Sequence, residues 1–270
     1  MIRQIVELYA PESLRDVLAA LFEVEREIAA SAGFKLDHTV SHARLDWWQD
    51  ETARLVAGVP EHPRTLRLLQ YADSHRVSSP DLRPLVALAR SELSGTAIET
   101  AAEMQTFLAR WADSIFRAVV LLQSPQPQSR SAVEAFAAQA GVPLREIELL
   151  SDALEAALHG RIRGVVTREE QAAEWQIQPW SGAVSREVAQ RLTAARTELR
   201  RAAQRLPAQL RREQSASLVW LTLAVALAGR CEEDLPFALA SRRRDGVVTA
   251  WRGWRAALQA CSGQMPALLL

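Results

Sequence analysis

Residues 44–51 read Arg44-Leu45-Asp46-Trp47-Trp48-Gln49-Asp50-Glu51, and Gly58 and His62-Pro63 follow. Neighbouring residues on a helix point about 100° apart, so Trp47 and Trp48 cannot both face the same core. At least one of them lines a helix–helix contact or a cavity. The spacing predicts a helix over 40–57, stopped by Gly58 and Pro60, and another over 63–75 that opens on Pro63.

The helical period extends in both directions. Apolar residues recur three and four apart along almost the whole chain and β-branched alternating runs are nearly absent, so the expected fold class is all-α. Upstream, Ser13 begins a Ser-x-x-Asp capping pattern with Asp16. Leu14, Val17, Leu18, Leu21, Phe22 and Ile28 then trace one apolar face to about Ser31, and Gly33 closes that helix. Downstream, helices are predicted over 81–93, 96–122, 131–140, 144–159, 185–206, 207–229 and 246–261. Residues 124–129 form a polar, Pro-rich loop, and 162–179 read as a connector of a length that is often functional.

The chain has 270 residues, enough to bury a large core, and a single domain over 1–270 is expected. Hydrophobic residues make up 49% and charged residues 24%, which suits a globular protein and is too polar for one that spans a membrane many times. Thirty-two basic residues balance thirty-two acidic ones. No overall field gathers nucleic acid, and any electrostatic binding must be local. Lys35 is the only lysine, which reads first as a GC-rich coding bias and second as selection for bidentate anion contacts by arginine. Cys231 and Cys261 alone form neither a disulfide framework nor a zinc site, and a reducing, cytoplasmic setting is expected. The stretch MIRQIVELYAPESLRD lacks an apolar run with a small-residue cleavage site. The longest apolar run, 218–229, is about 12 residues against the roughly 20 that cross a bilayer, and reads as a buried core helix.

Together with the preceding LAALFEVEREIA at 18–29, the Trp-Trp helix closely resembles the squalene/phytoene synthase family. Its members carry Arg-Leu-x-Trp-Trp-x-Asp, a Gly, and a His-Pro opening the next helix. The similarity continues in order through Phe107-Leu108-Ala109-Arg110-Trp111, in the place of the family's Tyr-containing helix. Ala140-Gly141 then leads into a helix with Glu148, Leu149, Leu150 and Asp152, ending at His159-Gly160-Arg161, which is similar to the family's second aspartate-rich helix. The resemblance implies an isoprenoid-synthase-type orthogonal bundle of about ten helices around a central cavity. It also implies a reaction that joins two prenyl diphosphates head to head. By position it assigns Glu27 and Asp152 to the catalytic acids, facing each other across the cavity, and Arg44, Trp48, Trp111, Glu148 and Arg161 to the substrate. Asp152 and Glu148 would hold Mg²⁺ if the protein is active.

The chemistry explains what to look for. A diphosphate leaving group carries several negative charges, so its ionisation requires Mg²⁺ held by carboxylates on two facing helices, and a four-residue spacing puts two carboxylates on one side of a helix. Here the first motif falls on Glu27, Ile28 and Ser31, leaving one carboxylate. At the second, Asp152 remains, Ala156 follows four later, and Glu148 and Ser151 replace the family's Asn and Arg. Glu148 and Asp152 form either a shifted acidic pair or a solvated helix face. Glu23, Glu25 and Glu27 diverge by about 200° at each step and read as surface residues or partners of Arg26. A degenerate branch of the superfamily, whose mitochondrial members act in assembly of respiratory complex I, has similar Trp-Trp helices and decayed acidic motifs. This chain resembles that branch more than an active synthase.

Other features weigh less. The arginines between 186 and 212 form either a solvated face or a strip for anionic lipid or an acidic partner. Arg242-Arg243-Arg244 precedes Trp251 and Trp254, which share a face and read as core. His62 reads as a cap, and His38, His42 and Asp46 lack further zinc ligands nearby. The leading expectation is a non-catalytic or altered family member without a cofactor. It either keeps the cavity for an isoprenoid or lipid ligand or uses its surface to assemble a protein partner. No nucleic acid is expected, and at most peripheral contact with the inner membrane. The runner-up is a Mg²⁺-dependent head-to-head prenyltransferase, and a third reading has the cavity filled by side chains.

Overall fold

Apolar spacing at three and four residues is realised as helix throughout the computed structural model, which describes residues 2–33, 36–94, 98, 100–124, 126–152, 182–233 and 246–270. The elements are α1 (Ile2–Tyr9), α2 (Glu12–Ser31), α3 (His38–Ala57), α4 (Pro63–His75), α5 (Arg83–Leu93) and α6 (Ala101–Trp111). A π-helical turn (Ala112–Phe116) joins α6 to α7 (Arg117–Gln123). Then come α8 (Arg130–Ser151), α9 (Gly182–Arg205), α10 (Ser215–Glu233) and α11 (Gly246–Cys261). No strand occurs among the described residues. One continuous set of buried apolar side chains runs from Ile5 to Leu269.

Local chemistry sets the helix ends. The Asp37 carboxylate accepts from the Thr39 N–H at the start of α3, and Gly58 ends it with φ 79°, a left-handed conformation that costs glycine least. Thr100 and Glu103 form a reciprocal capping box at the start of α6, satisfying two otherwise unpaired N–H groups. Pro11, not Ser13, is the cap residue of α2. Of the two tryptophans, Trp48 is 3% exposed and Trp47 41% exposed, as their angular separation requires.

Three differences from the sequence reading matter. The stretch 2–9, read only for a leader, is a helix whose Ile2, Ile5, Val6 and Tyr9 pack on the core. Helices predicted over 131–140 and 144–159 are one helix as far as Ser151, running through Pro143. Pro143 removes one backbone bond, but Ala140, Gly141, Pro143 and Leu144 are all buried, so packing holds the helix through it. Trp251 and Trp254, expected in the core, are 49% and 47% exposed. The inner face of α11 is instead made of Gly253, Ala256, Ala257 and Ala260, small residues that let it close on its neighbours.

Two glycines permit close approaches that shape the centre. A Cβ on Gly141 would lie 2.7 Å from the Ala112 Cβ, so α8 can press onto the π turn. A Cβ on Gly253 would lie 2.5 Å from Ile5 Cγ2, so α11 can seat α1. The apolar run at 218–229 lies in α10, with Trp220 fully buried. No helix among the described residues is long and apolar enough to cross a membrane.

Candidate functional site

Three helices bring charged side chains to one point at the centre of the bundle. On α2, Glu25 stands at i+7, i+4 and i−3 from Leu18, Leu21 and Ile28, all buried, so helix geometry turns it inward. On α8, Glu148 follows Leu144 by one turn and is likewise buried. Arg3 on α1 reaches between them. Its Nε donates to Glu25 Oε2 at 2.7 Å, Nη2 to Glu25 Oε1 at 2.8 Å, Nη1 to Glu148 Oε1 at 2.9 Å and Nη2 to Glu148 Oε2 at 3.1 Å. The planar guanidinium fork is suited to this double bidentate contact.

Aromatic residues complete the shell. The Trp111 indole N–H donates to Glu25 Oε1 at 2.8 Å, and the Trp220 indole N–H donates to Glu148 Oε1 at 3.0 Å. The Arg3 guanidinium lies 4.9 Å from the Trp220 ring centre and 5.6 Å from that of Phe22, within cation–π range. Arg145, one turn before Glu148, reaches its Oε2 at 3.5 Å and stacks 4.9 Å over Trp111. Phe22, Trp111 and Phe116 each meet Trp220 at 5.3–6.0 Å with steep interplanar angles, the edge-to-face arrangement that aromatic quadrupoles favour.

Two arginines and two glutamates make the cluster formally neutral, the condition under which burying charge is tolerable. Burial alone would raise the Glu25 pKa. The Arg3 charge and hydrogen bonds, the Arg145 charge and the Trp111 N–H outweigh it, holding the carboxyl below its ordinary value. Burial would likewise lower the Arg3 pKa, but Glu148 and Glu25 raise it above the usual arginine value, so the guanidinium stays charged.

A second buried acid, Glu51, explains the Trp-Trp motif. Its carboxylate is fully buried. It accepts from the backbone N–H groups of Glu61 at 3.1 Å and His62 at 2.9 Å, from Arg54 Nε at 2.9 Å and from the Thr65 hydroxyl. The motif helix thereby fixes the start of α4, where the His62 imidazole accepts from the Arg64 N–H. Trp48 and Trp47 pack edge-on against the His62 ring at 5.2 and 5.7 Å.

The other residues proposed from the sequence lie elsewhere. Glu27 is turned well away from Glu25 on α2 and stands 3.7 Å from His62 Nε2. Asp152 is exposed just beyond the end of α8. These two do not form the facing pair; Glu25 and Glu148 do. Arg44 is exposed on α3, away from the cluster. Trp111 and Glu148 are in it, Trp48 belongs to the Glu51 corner, and Arg161 lies outside the described residues. Arg3, Arg145 and Trp220 were not singled out by the sequence reading, and Glu25, read there as a surface residue or partner of Arg26, is instead bonded to Arg3 and Trp111, although its inward spacing was a readable signal.

The donor set fits Mg²⁺ poorly. Mg²⁺ needs near-octahedral oxygen coordination, whereas both inward carboxylates are already bonded to Arg3 and an indole. No group of three or more His, Cys, Asp or Glu able to hold a metal occurs among the described residues.

An all-helical bundle with two helix-borne acids facing one another at its centre defines an isoprenoid-synthase-like class. The family model for squalene/phytoene synthase matches residues 5–252, and the chain belongs to that family. No curated protein and no solved structure matches it.

Proposed function

We propose that this is a non-catalytic member of the squalene/phytoene synthase family, a pseudoenzyme that works without a cofactor and through its surface in the assembly of a protein partner. The observation that carries this reading is the Arg3 guanidinium bonded to both Glu25 and Glu148. A fixed organic cation lies between the two acids, and it cannot exchange ligands to follow a departing diphosphate as a metal ion can. Trp220, Phe116, Trp111 and Phe22 pack around it, which favours the surface role over an isoprenoid or lipid ligand at the centre. The test is incubation of the purified protein with farnesyl or geranylgeranyl diphosphate and Mg²⁺, following pyrophosphate. No release above background is expected from protein whose circular dichroism shows intact helix, and native mass spectrometry should find no co-purified isoprenoid.

One observation favours a Mg²⁺-dependent head-to-head prenyltransferase instead: two carboxylates from α2 and α8 do converge. Pyrophosphate release that disappears in Glu25→Gln while circular dichroism shows intact helix would establish that reading in place of the first.

A further inference from the structure

The outer face of α11 carries an apolar stripe that none of the described helices covers. Val247, Trp251, Trp254 and Leu258 are spaced four, three and four apart, which puts them on one line along the helix. They are 83%, 49%, 47% and 53% exposed. The stripe points away from the core, because the opposite side of α11 holds the buried Thr249, Gly253, Ala256 and Ala260. The helix is thus apolar on two opposed faces, although packing requires only one.

The charged side chains carried by α11 itself are basic. Residues 246–270 contain Arg252 and Arg255 and no acidic residue. The Arg255 guanidinium stacks 4.8 Å over the Trp251 ring, so cation and indole are presented together. Indoles with one apolar side and a polar N–H suit the water–lipid boundary, and the exposed Arg255 beside them attracts anionic headgroups. Size points the same way. From ordinary side-chain areas the four residues expose roughly 400–500 Å² of apolar surface, short of the about 800 Å² per partner in a stable protein interface. A lipid surface requires no such minimum, since a few side chains entering the headgroup layer suffice.

We infer that the α11 stripe is a docking face for an anionic lipid surface, with Trp251 and Trp254 entering the headgroup region and Arg255 facing the phosphates. This holds whether or not the protein is catalytic, because the stripe is separate from the central cluster.

Flotation of the full chain tests it, using phosphatidylcholine vesicles with and without about one-third phosphatidylglycerol. The protein should float with the anionic vesicles and stay in solution with the neutral ones. The double variant Trp251→Ala, Trp254→Ala should lower the bound fraction at least about tenfold, since half-exposed indoles supply most of the apolar area. Val247→Asp, at the most exposed position of the stripe, should also lower it while leaving the thermal midpoint unchanged. Absence of flotation, equal flotation with neutral vesicles, or flotation undiminished in both variants would overturn the assignment. So would a dimer in solution that the double variant dissociates while vesicles bind neither form, since a second copy would then cover the stripe.

Discussion

At the α3–α4 corner, Glu51 is satisfied by groups close to it in sequence: two backbone N–H groups, Arg54 and Thr65. At the centre of the bundle, Glu25 and Glu148 are satisfied by Arg3 and by Trp111 and Trp220, brought from distant parts of the chain. The corner needs only helix α3 and the turn after it. The centre needs α1, α2, α6, α8 and α10 in register at once. The first arrangement fixes one turn; the second measures whether the whole bundle has assembled. The Arg3 guanidinium, bonded to both inward carboxylates, thus acts as a structural lock between α2 and α8.

The largest effect should come from removing that cation. Arg3→Met leaves two buried glutamates facing each other without compensation, and a loss of about 3–5 kcal/mol in unfolding free energy is expected from chemical denaturation. Adding Glu25→Gln and Glu148→Gln to Arg3→Met should recover part of the loss, because the orphaned charges go with it. A cost below about 1 kcal/mol for Arg3→Met alone would place the pair among weak surface bridges and remove the lock.

A smaller and local effect is expected at the corner. Glu51→Gln keeps the shape but exchanges a charged acceptor for an amide whose NH₂ faces donors, for a loss of about 1.5–3 kcal/mol. Amide hydrogen exchange should separate the two sites: Glu51→Gln speeds exchange at Glu61 and His62 and leaves α1 and α8 protected. Arg3→Met should loosen α1, α2 and α8 together. Equal patterns in the two variants would mean that the corner and the centre open as one unit.

The corner was legible in the sequence and the centre was not, for a physical reason. Arg44 to Glu51, Gly58 and His62-Pro63 lie within a short stretch, so helix period, the glycine stop and the proline start could be read together, and α4 begins and ends where the spacing predicts. The central cluster depends on contacts between residues far apart in sequence, such as Arg3 and Glu148. No local pattern announces such a pair. Alternate acids at 23, 25 and 27 invited a surface reading because Glu25 lies about 200° from Glu23 and Glu27, which share the other face. Choosing Glu25 required noticing its register with Leu18, Leu21 and Ile28. Helix α1 was missed because its eight residues were weighed as a possible leader, although Ile2, Ile5, Val6 and Tyr9 carry the helical spacing.

The finest distinction lies in the response to acid. Glu25 and Glu51 both titrate below their ordinary value in the folded protein. At each, burial acts upward and is outweighed, by Arg3 above all at Glu25 and by hydrogen bonds from Thr65, His62, Glu61 and Arg54 at Glu51. A carboxyl with a depressed folded pKa contributes stability that is present above its unfolded pKa, about 4.3, and is lost as pH falls through the folded value. Both therefore steepen acid unfolding of the native chain. Arg3→Met should reverse the sign at the centre alone. Without the guanidinium, and with only Arg145 nearby, burial raises Glu25 above its unfolded value, so protonation now favours the folded state. The penalty of Arg3→Met relative to the native chain should then shrink by about 1 kcal/mol or more between pH 7 and pH 4, while the Glu51→Gln penalty should also shrink as the native Glu51 loses its advantage. In Arg3→Met itself, unlike Glu51→Gln, absolute stability should hold level or rise on mild acidification, because fewer charges remain buried. A fall in Arg3→Met as steep as in the native chain would show that Arg145 alone suffices to hold Glu25 ionised.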